Sequence, residues 1–513
     1  MRLRGYEAFL PRFLASSLPH FLTSSLPHFL TSSQPHFLTA SQPHSLWRRL
    51  TGCYVRATVW YLLAVTVLWL VGIESIYGSP TPFYALVRPV FPPFSPFSLF
   101  QLFTRFGSPL FLFLGFFAAL MVVLRRLSWF EEEPSRRAAS WLLFGMVAFL
   151  FLFSGAVAMI HDGSAGISQA YSRQTYEYAG DIGKTRSIYT LFRDYLKLQP
   201  YLSMHAKVHP PGPVTVLWVF SYVTGQSALG LSLATMAAGS LGLVPLYLWA
   251  ADLAGRRVAL TCCMLYSLIP SIVLFTATSA DIFFTPVSIT ALFLFWRALH
   301  RRSVGYALTA GACYALASFL SFSLLTLGAF FAFVGLWRFG EKRWRASVIQ
   351  TAVVMVLSFL AVHVAVRWWT GFDMIACFQA CQAQFYLDQA NLDLMTPRFP
   401  SWAFKFINPA CWFFYAGIPV SVLFVWRIAR PDTDTKALFI VFALTLLTLT
   451  LLYFGRGEGE RSAMYIFPFV ALPAAHLLNQ FGRAEGSHGP LAATLVFMAL
   501  QCWLMESCLY TFW

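Results

Sequence analysis

The sequence predicts an all-α protein that crosses a membrane many times. Three observations carry that prediction. Apolar residues make up 58% of the 513 and charged residues only 11%, too few to clothe a soluble body in water-facing side chains. Apolar runs of about 17–25 residues recur from Tyr54 to the C-terminal end, each long enough for a hydrocarbon core of about 30 Å. Arginines, far more than acids, flank those runs in short alternating segments, as orientation by positive charge requires. Unbroken runs of this kind exclude an outer-membrane barrel, whose strands would alternate apolar and polar residues.

In chain order, residues 1–50 precede the membrane domain of residues 51–513. Within them a tandem octapeptide reads Pro-Arg-Phe-Leu from Pro11, Pro-His-Phe-Leu from Pro19, Pro27 and Pro35, and Pro-His-Ser-Leu from Pro43. Proline every eighth residue breaks helices, and eight residues are too few for a packed repeat unit. The segment reads as a low-complexity cytoplasmic tail, and His20, His28, His36 and His44 as its composition rather than a metal site. It has neither the apolar core nor the small-residue cleavage site of a signal peptide.

The spans then fall at about 54–73, 108–124, 138–160, 229–252, 258–277, 282–299, 304–320, 322–338, 347–368, 406–426, 436–454, 463–480 and 490–510, about 13 in all. Between the first two lies a Pro/Phe-rich outward loop, 74–107, too broken by proline for a helix. Residues 125–137 (RRLSWFEEEPSRR) form a cytoplasmic connector. After the third span comes a polar insert from His161 to Pro210. The apolar stretch that follows it is too short to cross, and Pro210-Pro211 caps its start, so it reads as a juxtamembrane helix in the outer interface. Residues 161–224 are thus an outward acidic loop with amphipathic juxtamembrane helices.

The net charge of +15 does not mark a nucleic-acid binder. With the N-terminus cytoplasmic, roughly two-thirds of the Lys and Arg fall in short inner segments, among them Arg125, Arg126, Arg256, Arg257, Arg301, Arg302, Arg343 and Arg427. The outer face collects the unusual polar motifs instead: Ser279-Ala280-Asp281, the region 370–405, and Gly455–Arg461. Chemistry is therefore expected on the extracytoplasmic side. Of nine cysteines, seven lie in or beside apolar runs as small core residues. Cys377 and Cys381 sit four apart in an outward loop, without the further ligands that a metal site needs.

Four constellations can carry chemistry. Asp162 ends the third span at the lipid–water boundary, where a polyprenyl phosphate would present a sugar. Transfer of that sugar to a hydroxyl needs a carboxylate to take the proton. Glu177 and Asp181, in Tyr176-Glu177-Tyr178-Ala179-Gly180-Asp181, compete for the role, and an acid at a membrane exit is also common in ordinary connectors. His205 and His209 stand at i and i+4, sharing one helix face toward a phosphate oxygen or a metal, ahead of Pro210-Pro211-Gly212-Pro213. Asp281 begins the span 282–299, where a helix N-terminus would favour an acid in any case. Arg456-Gly457-Glu458-Gly459-Glu460-Arg461 packs four charges into one short outward turn, and Arg461 there can grip a phosphodiester with two hydrogen bonds, flanked by Glu458 and Glu460.

With these motifs in this order, the chain resembles the C-type glycosyltransferase superfamily. The likeness is greatest to bacterial relatives of the protein O-mannosyltransferases and the lipid A aminoarabinose transferase. The likeness spans about residues 138–480: the acidic outward loop, His209–Gly212, the basic turn Gly255-Arg256-Arg257, Pro270 with Thr278–Asp281, Asn408-x8-Gly417-Ile418-Pro419, and Gly457–Arg461. It implies inverting transfer of a hexosyl or pentosyl group from a polyprenyl-phosphate donor to a lipid, glycan or protein acceptor outside the plasma membrane. By the same likeness Asp162 corresponds to the general base, Asp281 to a second-loop acid near the site, and Arg461 to a lipid-phosphate ligand. No metal ligand and no cofactor is assigned, although a divalent cation is compatible. The alternative reading is a secondary transporter or lipid flippase, which would place acids or paired broken helices near mid-membrane. Acids of that kind are nearly absent from the spans.

Overall fold

The structure is a computed structural model that describes residues 46–70, 107–173, 176–395, 404–452 and 459–509. The octapeptide repeats up to Ser45, residues 74–106 of the Pro/Phe-rich loop, and Glu458 lie outside these residues. Every regular element among the described residues is helical, as the apolar runs predict.

The chain opens with α1 (Leu46–Leu70), α2 (Gly107–Arg126) and α3 (Arg136–Asp162). Ser135 caps α3 by accepting the Ala138 N–H at 3.2 Å, and Gly163, at φ 61°, turns the chain out of it. The polar insert then folds into short pieces: α4 (Ser164–Ser172), a 3₁₀ turn (Tyr178–Lys184), α5 (Ile188–Arg193), α6 (Tyr195–Leu198), α7 (Met204–Lys207) and α8 (Gly212–Thr224). Proline and glycine punctuate the next helices: α9 (Ala228–Ser240), α10 (Leu243–Ala254), α11 (Arg256–Tyr266) and α12 (Pro270–Thr278). A 3₁₀ turn (Ala280–Phe283) leads to α13 (Phe284–Arg301), followed by α14 (Val304–Leu320), α15 (Gly328–Phe339), α16 (Arg345–Thr370) and α17 (Met374–Met395). The last group is α18 (Phe404–Tyr415), α19 (Ile418–Ala429), α20 (Lys436–Leu452), the single turn α21 (Gly459–Ser462), α22 (Phe467–Glu485) and α23 (Gly489–Leu509).

Each predicted span coincides with a helix or helix pair, and length and composition mark seven or more of these as candidate crossings. Among the described residues seven helices are long and apolar enough to cross, or nine if each of two bent pairs counts as one span. The pairs α11–α12 and α18–α19 bend by 59° and 111°, where Pro270 opens α12 and Gly417 (φ 94°) precedes Pro419. The helices α14 and α20 are apolar but short, and hydropathy counts them where length does not.

An aromatic centre joins α10, α15, α20 and α22: the rings of Trp249, Phe330, Phe442 and Phe469 lie 5.3–6.1 Å apart. Outside, α16 turns Leu357, Val364 and Trp368 outward, Trp368 being 89% exposed. Such a face is stable only against lipid. The two ends of the bundle differ in kind. At one end Arg257 donates to the Phe130 carbonyl and, through its N–H, to Glu133. There too the Leu46 N–H reaches Glu485, Arg302 reaches the Arg343 carbonyl, and Gln480 reaches Asp432. These are the segments expected on one side from their arginines. The other end gathers the polar insert, residues 279–281 and α21.

Candidate active site

Three separate parts of the chain converge on the guanidinium of Arg461. Its Nη1 lies 3.3 Å from Asp281 Oδ2 and 3.7 Å from Glu177 Oε1, and it donates to Ser279 Oγ at 3.4 Å. His205 Nδ1 lies 3.1 Å from the same Glu177 oxygen. All four of these charged or titratable side chains are buried. Desolvating so many charges is costly unless they are paired, which makes the cluster a poor device for stability and a reasonable one for chemistry.

Local sequence explains each placement. Asp281 sits inside the 3₁₀ turn rather than capping a helix: Ser279 is the cap, its hydroxyl accepting the Asp281 N–H at 3.2 Å. Ile282 next to it lies where Gly239 leaves no room for a Cβ, which would stand 2.4 Å from Ile282 Cγ1. Arg461 is fixed through its neighbours, since Ser271 of α12 donates to the Glu460 carbonyl and a Cβ on Gly459 would meet Trp412 Nε1 at 2.6 Å. The two motifs around Asn408 and Gly459 are thus two faces of one contact. The turn at Pro210–Gly212 is explained in the same way. A Cβ on Gly212 would lie 2.1 Å from the Phe319 carbonyl oxygen, so only glycine lets α8 start against the end of α14.

The histidines do not share a helix face. Only Met204–Lys207 is helical, and His209 lies beyond it, its Nδ1 2.9 Å from the His205 carbonyl. A carbonyl can only accept, so Nδ1 carries the proton and a neutral His209 offers Nε2 as an acceptor. Burial pushes the His209 pKa down, outweighing Asp281, which favours that neutral form. Tyr195 holds the turn from below by donating to the Ala206 carbonyl at 3.0 Å and to that of His209.

The remaining candidates are placed elsewhere. Asp181 is buried but already satisfied: Ser203 N–H and Oγ donate to it at 3.0 and 2.7 Å, and Lys184 pairs with it at 2.7 Å. It fastens the 3₁₀ turn to the start of α7. Asp162 is exposed at the end of α3, beside His161, whose Nε2 lies 2.7 Å from the Glu506 carbonyl oxygen. Glu460 is buried next to the cluster.

The cluster also has open valences. Glu177 Oε2, Asp281 Oδ1 and the Tyr178 hydroxyl are buried with no hydrogen-bond partner among the described residues. Each such atom costs on the order of 1–3 kcal/mol, a cost that an arriving hydroxyl would remove. Burial pushes the Glu177 carboxyl up, but His205, and after it Arg461 and His209, more than reverse this, leaving it below the usual carboxylate range. Burial, reinforced by Asp281 and Glu177, pushes Tyr178 well above the usual phenol range, so it remains a donor. Tyr178, whose ring lies 5.8 Å from that of His209, was not singled out by sequence reasoning. Its only signal was its place beside Glu177. Among the described residues no three His, Cys, Asp or Glu are disposed to hold a metal ion.

Residues 208–369, just under a third of the chain, match the protein-family model of the dolichyl-phosphate-mannose-protein mannosyltransferases. That match bears out the resemblance to C-type glycosyltransferases and supports a multi-pass membrane glycosyltransferase. Among solved structures, an oligosaccharyltransferase of Archaeoglobus fulgidus, crystallised with Zn and sulfate, aligns at a TM-score of 0.35 and 14% identity, over 70% of this chain and 53% of its own. The chain therefore spans about half the length of that protein. No curated protein matches it in sequence.

Proposed function

We propose that the protein transfers a glycosyl group from a polyprenyl-phosphate donor to an acceptor hydroxyl at the extracytoplasmic face of the plasma membrane. The buried Glu177–Arg461–Asp281 arrangement, with an oxygen on each carboxylate that has no hydrogen-bond partner among the described residues, carries this reading. The dolichyl-phosphate sugar in the matched family's name supports a lipid-linked donor.

In the proposed reaction the acceptor hydroxyl gives its proton to Glu177 Oε2 as its oxygen bonds to the anomeric carbon. The bond from that carbon to the phosphate oxygen breaks, and the electron pair leaves with the polyprenyl phosphate. A single displacement of this kind inverts the anomeric centre. Arg461 faces the charge that grows on the leaving phosphate, and Asp281 keeps its guanidinium in place. The neutral His209 Nε2 suits a sugar hydroxyl better than a phosphate, which lends it a role in orientation. Lipid, glycan and protein acceptors all supply the hydroxyl required.

The test is an assay of the purified protein with candidate lipid-linked sugars, following donor consumption. Loss of transfer in Glu177→Gln with retained transfer in Asp162→Asn supports this base. The reverse pattern moves the base to the membrane exit at Asp162. Reconstituted vesicles that move a solute or flip a lipid without consuming any donor would replace the reading with that of a transporter or flippase.

A further inference from the structure

At the arginine-rich end of the bundle, a groove of ≈ 530 Å³ opens between α13 and α14, lined by Leu294, Ser303, Gly305, Tyr306 and Thr309. It starts directly after Arg301-Arg302 and follows the first turns of α14, about 9 Å at 1.5 Å per residue from Ser303 to Thr309. Its walls are apolar despite their composition, because the Thr309 hydroxyl is spent on the Gly305 and Tyr306 carbonyls at 2.9 and 3.1 Å.

The charges at the ends of the helices beside it are unbalanced. Arg297 pairs with Asp252, and Glu341 serves Arg338 and Arg343 at 3.0 and 2.8 Å. Arg301, Arg302, Lys342 and Arg345 are exposed and form no ion pair among the described residues. Arg302 is tied to this cluster through the Arg343 carbonyl at 2.9 Å, and Ser347 of α16 donates to the Leu299 carbonyl at 2.6 Å, so both sets of cations sit together. Trp296, Trp337 and Trp344 stack around Arg338, whose guanidinium carbon lies 5.9, 3.9 and 5.1 Å from their ring centres. Tryptophan and arginine together mark the depth of lipid headgroups.

We infer that this groove seats one anionic phospholipid of the adjoining leaflet, an acyl chain lying along Gly305–Thr309 and its phosphate against Arg301, Arg302 and Arg345. Charge complementarity selects the occupant: an apolar trough that ends in unpaired cations at headgroup depth fits a lipid anion. A zwitterionic lipid would gain only the apolar part. This site is separate from the carboxylate cluster and does not depend on the glycosyl-transfer reading.

Gly305 permits a clean test. A Cβ there would meet only Ser303 Oγ, at 3.8 Å, so Gly305→Leu fills the groove without crowding the fold. The full-length protein in detergent is titrated with phosphatidylglycerol or phosphatidylcholine in mixed micelles, reading bound lipid by native mass spectrometry and the unfolding temperature in parallel. The wild type retains phosphatidylglycerol preferentially and unfolds at a higher temperature with it. The double variant Arg301→Gln/Arg302→Gln binds it on the order of tenfold more weakly, and Gly305→Leu loses the bound lipid while unfolding at the same temperature in lipid-free detergent. Soluble glycerol phosphate gives no shift if a lipid is the ligand; a shift equal to that of the lipid assigns the site to free phosphate and overturns the proposal. Equal retention of both lipids, or undiminished retention in both variants, also overturns it.

Discussion

The two ends of the helix bundle use charge in opposite ways. At the arginine-rich end many charges are exposed: Arg301 and Arg345 form no ion pair among the described residues, Arg343 pairs with its near neighbour Glu341, and Arg338 is laid over tryptophan rings. At the other end they are buried and joined across the whole chain, Glu177 and Asp281 meeting Arg461. An exposed pair forms and breaks at little cost. A buried network holds its geometry only while every member is present, since removing one leaves another charge unpaired in the interior. The first arrangement suits orientation in a membrane, and the second suits a reaction that needs fixed charges.

That contrast breaks most sharply at Glu177. Replacing it with glutamine keeps the shape but removes both the base and a charge that faces Arg461 and His205, so transfer is expected to fall by about 10²–10⁴ and the unfolding temperature to fall with it. A donor-consumption assay beside a melting curve checks both halves. Arg461→Lys comes next. Lysine keeps the charge but not the fork, so turnover should drop more than donor binding does. A fall in binding alone would make Arg461 a simple anchor.

A third substitution separates the two buried carboxylates of the insert. Asp181→Asn removes the Lys184 pair and disturbs the bonds from Ser203, so it should cost on the order of 1–3 kcal/mol of stability. Transfer by the fraction that remains folded should be unchanged. If Asp181→Asn is inactive yet fully stable, its role as a fastening is wrong. At the opposite end, Arg343→Gln should leave unfolding temperature and transfer unaltered.

The smallest expected effect is on pH dependence. His209 has a depressed pKa in the folded state, so the folded state resists protonation more than the unfolded one does. Its contribution is complete above the unfolded value of about 6.5 and is lost as pH falls below it. His209→Gln should therefore flatten the decline in unfolding temperature between pH 7 and 5. An identical decline in the variant would assign that slope to other groups.

Much of the fold was legible in the order of residues. Apolar runs marked the helices because a backbone in lipid must satisfy its own hydrogen bonds. The arginine-flanked segments foretold which helix ends meet, as Arg257 with Phe130 and Arg302 with Arg343 do. The motifs around Gly212, Gly459 and Gly417 were visible as unusual strings, as were Tyr176–Asp181, Ser279–Asp281 and Arg456–Arg461, from which Glu177, Asp281 and Arg461 were named. Their grouping was not legible. Composition could not tell Asp181, saturated by Ser203 and Lys184, from Glu177, one oxygen of which has no hydrogen-bond partner among the described residues, because the folded arrangement of partners decides whether an acid is spent or available. Nor could it show that Asp162 stands exposed at the end of its helix, or that His205 and His209 fall on either side of a helix end. Local chemistry, dictated by the chain's own neighbours, fixed the helices and their ends; only packing across the bundle decided which charges are desolvated together, and desolvation gives those charges their chemistry.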